Sequence, residues 1–244
     1  LAGHCILECP EKLIPLYARS FPDVEVRAEK INCCNSRDDF DFHLPLGSLF
    51  RHFIPKISRD TNVNAFLAPD PARINFWKVR LNSLGTGPFV GISWKSPVME
   101  PARLPNYTQI SDWTPVLSLP DIIFINLQST EFADDLNKIQ NELGVKVHHF
   151  DDLDHYDNLD DVAALSAALD IVVSVSTAVS AIAAGVGTPT KLVAWRQSPW
   201  NNLLLAPRGP FVDAFERNTW EPWDEVFNAI AKDITKYQET GCST

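Results

Sequence analysis

The chain is short of positive charge. Its 244 residues carry 31 acidic against 21 basic side chains, a formal net charge of −10. Such a surface repels nucleic acid and anionic membranes unless basic groups gather locally, and no basic run occurs. Cysteine is sparse as well: Cys5, Cys9, Cys33, Cys34 and Cys242 make an odd number without a regular framework. Secreted disulfide scaffolds are shorter and denser in cysteine. The adjacent pair Cys33-Cys34 has no CxxC or HxxxH partner, so no metal is expected. Reduced thiols and a cytoplasmic location are the expectation. No apolar run approaches the ~18 residues of a membrane span. The opening Leu-Ala-Gly-His has neither an initiating Met nor the basic start of a secretory leader, which reads as a segment of something longer. GxGxxG and the Walker lysine are also missing, which excludes those NAD and ATP fingerprints.

What is present is a regular alternation. Hydrophobic residues make up 45% of the chain, enough for the core of one large domain or two modest ones. Beyond residue 86, apolar β-branched runs predict strands at 88–94, 121–128, 145–150, 171–176 and 190–195. Helical patterns fall around 107–119, 131–144, 158–170, 177–186 and 221–239, with Asn158 a suitable N-cap. Strands alternating with helices in this way imply a parallel sheet covered on both faces. Right-handed crossovers and a switch point beside the fourth strand give the strand order 3-2-1-4-5. The first 85 residues differ. A single β-α-β unit (5–9, 11–21, 24–28) precedes an irregular stretch, a connection at 56–70 and a helix at 71–84. One such unit cannot bury both faces of a sheet. Residues 1–70 therefore read as an incomplete α/β lobe, and 71–244 as a Rossmann-like domain.

The stretch "LDIVVSVSTAVSAIAAGVGTPT" (169–190) breaks a buried strand with hydroxyls and restarts it as a run of tiny residues. A helix N-terminus offers unpaired backbone N–H groups and a positive dipole end. A phosphate can accept those N–H bonds, and Ser or Thr hydroxyls add donors. Ser174, Ser176, Thr177 and Ser180 supply hydroxyls, and the Ala/Gly series 181–187 lets the backbone approach an anion. A Ser/Thr N-cap followed by small packing residues produces the same pattern without any ligand, and both readings stand on these residues alone. The acidic stretch 151–161 lacks the Gly and terminal Glu of a calcium loop and reads as a solvated, helix-capping loop. His148 and His149 straddle a strand end, so at most one faces a cleft. His43 is either a general base or a structural histidine.

Residues 169–190 resemble the C-terminal motif V-D/S-T-A-V-A-H-L-A-G-A-L-G-x-P of the glycosyltransferase domains that follow tetratricopeptide repeats in bacteria. These are similar to heptosyltransferases. "DFHLPLGSLF", "VGISWKS", "INLQ", "SPWNNLLL" and "TWEPWDEVFNAI" resemble further family segments in the same order. The resemblance implies a GT-B fold, with two Rossmann-like domains facing across a cleft. It also implies sugar transfer from a nucleotide-sugar donor to an acceptor hydroxyl, with no metal and no other cofactor. Carried over, Ser176, Thr177 and the N–H groups of Ala178 and Val179 would hold the diphosphate, and Lys95 would offset its charge. Gln128, Asp161, Trp195 and Arg196 would line the nucleotide side, and His43 would be the catalytic base. The implied partners are an upstream tetratricopeptide domain or a second copy of the chain, and an unknown acceptor. The family His is Ala181 here, its Asp is Ser176 and a Gly is Ala184. These departures imply, as the alternative, a non-catalytic module that binds a nucleotide-sugar or a protein on the same fold. A nucleotide-sugar hydrolase or epimerase is a third option, because fold alone does not fix chemistry.

Overall fold

The computed structural model describes residues 3–30, 39–49, 64–96, 101–196 and 211–241. The chain starts with β1 (Ile6–Cys9), a 3-10 turn at Glu11–Leu13, α1 (Ile14–Ser20) and β2 (Glu25–Ala28). β1 and β2 pair in parallel, Ile6 opposite Glu25 and Cys9 opposite Ala28, as a sheet of two strands. Residues 64–70 then lead into α2 (Pro71–Asn82), which starts where Asp70 accepts the Ala72 N–H at 2.8 Å and Pro71 fixes the first turn.

The larger body is one parallel sheet. Its strands are β3 (Phe89–Ser93), β4 (Ile123–Asn126), β5 (Val147–His148), β6 (Ile171–Val175), β7 (Thr190–Trp195) and β8 (Val212–Arg217), in the order β5-β4-β3-β6-β7-β8. The first five follow the order expected from the sequence. β8 was not anticipated. Its residues alternate poorly and all stay at least partly exposed, as befits the outermost strand. β3 and β6 are buried at every position, which is why they read as unbroken apolar runs.

Alternate residues feed two cores. Val90, Ile92, Ile171, Val173 and Val175 pack with Trp113, Val116, Leu117, Phe227 and Ile230. These come from the 3-10 turn that ends at Trp113, from α3 (Thr114–Leu117) and from α7 (Asp224–Gly241), while α4 (Ala133–Leu143) adds Ile139. Phe89, Ile125, Leu127 and Val172 face the other way. They meet Trp77 and Leu81 of α2, Val162 and Leu165 of α5 (Leu159–Ala168), and Ala183 of α6 (Ala178–Gly185). Gly91 is required at the centre: a β-carbon there would sit 2.6 Å from both Leu127 and Leu169. α4 stops at Gly144 with φ 68°, the left-handed cap that glycine takes without strain. α5 starts where Asn158 accepts the Asp161 N–H at 3.2 Å.

Several expected elements are shorter than the pattern suggested: the strands expected at 121–128 and 145–150 span Ile123–Asn126 and Val147–His148. The region expected as one helix at 107–119 is a 3-10 turn (Ile110–Trp113) running into the single turn of α3. The last helix starts at Asp224 rather than 221, because residues 218–221 close a turn of their own, with Trp220 at φ 66°. Cys5 and Cys9 are free thiols; Cys33, Cys34 and Cys242 lie outside the described residues, as does 56–63 of the expected connection.

The small lobe is fastened to the large one. Arg19 of α1 grips Asp160 with both terminal nitrogens at 2.7–3.2 Å. Lys12 donates to the Tyr156 carbonyl at 2.9 Å and lies over the Tyr156 ring. Leu16, Leu67, Ala163 and Ile182 form a small shared core. The N–H groups of Phe66 and Leu67 both donate to the Gly185 carbonyl at 2.9 Å. Among the described residues no helix is long and apolar enough to cross a membrane.

Candidate functional site

In a parallel sheet every connecting helix begins at the carboxyl edge, where helix N-termini and strand ends converge. The β6–α6 turn lies there beside the switch point, since β6 pairs with both β3 and β7. Its hydroxyls are organised internally. Ser174 is fully buried; its Oγ donates to the Val175 carbonyl at 2.8 Å and lies 3.3 Å from Thr177 Oγ1. Thr177 caps α6 in extended conformation (φ −137°, ψ 178°). Its N–H donates to Ser180 Oγ at 3.2 Å, and that hydroxyl donates back to the Thr177 carbonyl at 2.8 Å. Ser176 and Thr177 are half-buried, Ala178 exposed and Val179 half-buried. The N–H groups of Ala178 and Val179, at the first two helical positions, have no partner within the helix. The turn thus presents two backbone donors and the positive end of the α6 dipole.

Lys95 follows β3 at the same edge, but its charge is shared. Its ammonium meets Asp135 Oδ2 of α4 at 2.9 Å, and the same oxygen takes the Trp94 indole N–H at 2.7 Å. Gln128, at the end of β4, is buried. Its Oε1 accepts the Trp94 and Lys95 N–H groups, each at 3.1 Å, and its Nε2 donates to the Lys95 carbonyl at 2.9 Å. It clamps the end of β3, and through that clamp it fixes the backbone that carries Lys95. Asn126 supports it: Oδ1 accepts the Gln128 N–H at 2.9 Å, and Nδ2 lies 2.9 Å from His149 Nδ1. An amide nitrogen can only donate, so this contact requires the neutral His149 tautomer with its proton on Nε2. Burial pushes the His149 pKa down, and it does the same at His148 and His155. His155 stacks on His149 at 5.1 Å and places its two ring nitrogens against the carbonyls of Leu153 and Asn126.

Asp161 faces α2. Its Oδ1 accepts from Trp77 Nε1 at 2.7 Å and from Arg73 Nε at 2.9 Å, and its Oδ2 from Arg73 Nη2 at 2.6 Å. The hydrogen bond to Asp161 raises the Arg73 pKa. Trp195 and Arg196 end β7. The Trp195 indole donates to Thr219 Oγ1 at 2.6 Å, and Arg196 Nη1 to Asn218 Oδ1 at 3.3 Å. His43 is exposed, its ring 5.9 Å from that of Phe40. Among the described residues no hydrogen bond ties His43 to the β6–α6 turn. The acidic loop behaves as a capping loop: Asp154 Oδ1 accepts the Tyr156 and Asp157 N–H groups at 2.8 and 2.9 Å. Among the described residues no group of three or more His, Cys, Asp or Glu is arranged to hold a metal ion. A shallow, open depression lies between the lobes, lined by Pro10, Glu11, Lys12 and Asp157. It flanks the start of α5 at the carboxyl edge, and the β6–α6 turn does not line it.

Thus the structure sets Thr177, Ala178 and Val179 on one turn, with Lys95 one strand away at the end of β3 and Gln128 reaching it from the end of β4. Trp195 and Arg196 stand one strand away on the other side, and Asp161 serves the α2–α5 contact. Asp135 and Asn126 were not foreseen. Their only sequence signals are a polar residue at the end of β4 and an acidic residue in the first turn of α4, both common in any α/β protein.

The fold is α/β of the GT-B type. No family model matches the chain. Protein FlbA of Caulobacter vibrioides is 34% identical over 242 residues, covering 94% of this chain, which spans 40% of that protein's length. The glycosyl transferase family 9 structure from Veillonella parvula superposes with a TM-score of 0.54 at 11% identity, over 98% of this chain and 67% of that one. The E. coli ADP-heptose LPS heptosyltransferase II gives 0.52 at 14% identity, over 72% and 54%.

Proposed function

We propose that the chain is the donor-binding part of a glycosyltransferase that uses a nucleotide-sugar and no metal. The observation that carries this reading is the β6–α6 turn. It has two N–H groups at a helix start without a partner inside the helix, on the carboxyl edge, at the switch point of a GT-B-type sheet. In this reading the N–H groups of Ala178 and Val179, with the Ser176 and Thr177 hydroxyls, hold the donor diphosphate. As the sugar–phosphate bond breaks, negative charge grows on the leaving phosphate. Fixed donors and a helix dipole stabilise that charge without rearranging. Lys95 is held 2.9 Å from Asp135, and it would turn from that carboxylate to the phosphate when the donor arrives. Trp195 and Arg196 lie toward the nucleotide. Asp161 acts by holding α5 in place. His43 remains the proposed base for the acceptor hydroxyl, brought into position with the acceptor. The neighbour named for ADP-heptose makes ADP the first nucleotide to try. Calorimetry with ADP, UDP and GDP tests the reading, and a chain that binds none of them refutes it.

A second reading is a non-catalytic module on the same fold. The Lys95–Asp135 pair and Ala181, where the family has its His, favour it. Among the described residues the acceptor-side lobe has two strands, and without fixed acceptor contacts the reaction loses an orientation benefit worth up to ~7–11 kcal/mol. Little or no multiple-turnover transfer is therefore expected from the 244-residue chain alone. Nucleotide release from a panel of nucleotide-sugars separates the readings: sustained turnover removes the second.

A further inference from the structure

Trp220 stands apart from the other described tryptophans. Trp77, Trp94, Trp113 and Trp223 are buried and Trp195 is half-buried, while Trp220 is 75% exposed. Its backbone is also costly. The turn Asn218–Glu221 closes with the Glu221 N–H on the Asn218 carbonyl at 3.3 Å, and Trp220, its third residue, has φ 66°. That position of a turn normally takes Gly or Asn, and for a bulky side chain positive φ is an outlier. The surroundings hold it there. The Glu221 carboxylate accepts the Asn218 N–H and Nδ2 at 2.9 and 2.8 Å, and Arg217 donates to the Glu221 carbonyl. Arg217 is itself braced 3.8 Å from the Trp223 ring and bonded to the Pro105 carbonyl at 2.8 Å. Strain that the structure over-determines gathers at ligand clamps. Here it carries an indole that folding leaves in solvent.

The location supplies the ligand class. The turn follows β8 at the carboxyl edge and is joined to the end of β7 by the Trp195–Thr219 and Arg196–Asn218 bonds. β8 is two strands from β6, so about 10 Å of sheet separates it from the Thr177 turn, a distance one nucleotide can bridge. We propose that Trp220 is the stacking platform for the nucleobase of the nucleotide-sugar. The inference rests on the donor reading above and adds the residue that grips the base. Flat aromatic faces bind bases of any identity by stacking, so Trp220 contributes affinity, and selection among bases falls to other groups.

The test uses Trp220→Gly and Trp220→Phe in the full chain. The probes are ADP, UDP, GDP, their nucleosides and inorganic pyrophosphate. Thermal denaturation, calorimetry and the Trp220 indole NMR signal, assigned by its loss in Trp220→Phe, are the readouts. Trp220→Gly should be at least as stable as the wild type, because glycine relieves the positive φ. It should bind the preferred nucleoside diphosphate about 5- to 100-fold more weakly, the usual loss when a base loses its aromatic partner, with pyrophosphate unchanged and Trp220→Phe intermediate. Nucleosides alone should move the Trp220 signal. Equal nucleotide affinity in wild type and Trp220→Gly overturns the proposal while leaving the phosphate site standing. A Trp220 signal that moves with nucleosides, when phosphates add no affinity, supports the base platform and refutes the phosphate site. A destabilised Trp220→Gly, or an indole that no nucleoside or nucleotide moves, also overturns the proposal.

Discussion

Replacing Asp161 by Ala separates a structural clamp from a ligand contact. Asp161 is 8% exposed, and its carboxylate accepts three hydrogen bonds, one from Trp77 and two from Arg73. Trp77 is 1% exposed, so its N–H would be left buried without a partner, at a cost of about 1–3 kcal/mol. The Arg73 side chain is 40% exposed and can turn to water, so its half of the pair adds only up to ~1 kcal/mol. Asp161→Ala should therefore cost about 3 kcal/mol, or roughly 6–12 °C in a domain of this size. Asp161→Asn keeps an oxygen for the indole and should lose about half as much. Urea and thermal unfolding followed by circular dichroism provide the check. An Ala variant within ~0.5 kcal/mol of wild type would refute the clamp, and a selective loss of nucleotide affinity would restore Asp161 to the binding site.

Two further outcomes follow from the geometry. Gly185→Ala puts a β-carbon 2.5 Å from Leu67 Cδ1, on a residue pinned by its N–H to the Gly185 carbonyl; a loss of about 1–3 kcal/mol is expected, and a neutral variant would show the segment 64–70 to be loosely held. His148, His149 and His155 all have folded-state pKa values below the ordinary 6.5 because burial disfavours the imidazolium. The unfolded chain then binds more protons, so their contribution is fully present above about pH 6.5 and falls away as the pH drops below it. Urea midpoints between pH 5 and 8 should show that slope, and it should shrink in His155→Gln.

The architecture was readable because parallel strands buried on both faces leave unbroken β-branched runs. β3 and β6 announce themselves in that way. β8 did not, because an edge strand needs no such run. The helix expected at 107–119 shrank where Pro115 interrupts it, a constraint that apolar periodicity alone ignores. The β6–α6 turn was legible because its hydroxyls and small residues are contiguous. The groups that neutralise or brace the expected site residues were not. Asp135 lies 40 residues from Lys95, and Arg73 lies 88 residues from Asp161. Nothing local marks either pair, and only the fold brings them within bonding distance. The φ of Trp220 is similarly invisible in a sequence that shows only an ordinary Asn-Thr-Trp-Glu.

The β6–α6 turn as a phosphate site is tested most directly by calorimetry of ADP, UDP and GDP against wild type and Thr177→Ala. Loss of one hydroxyl donor to a charged group costs ~1.5–3 kcal/mol, so at least one nucleotide should bind the variant about 10- to 100-fold more weakly. Loss of the cap should cost folding only ~1 kcal/mol. Equal affinities in the two proteins, or no binding of any nucleotide to the wild type, would contradict the account.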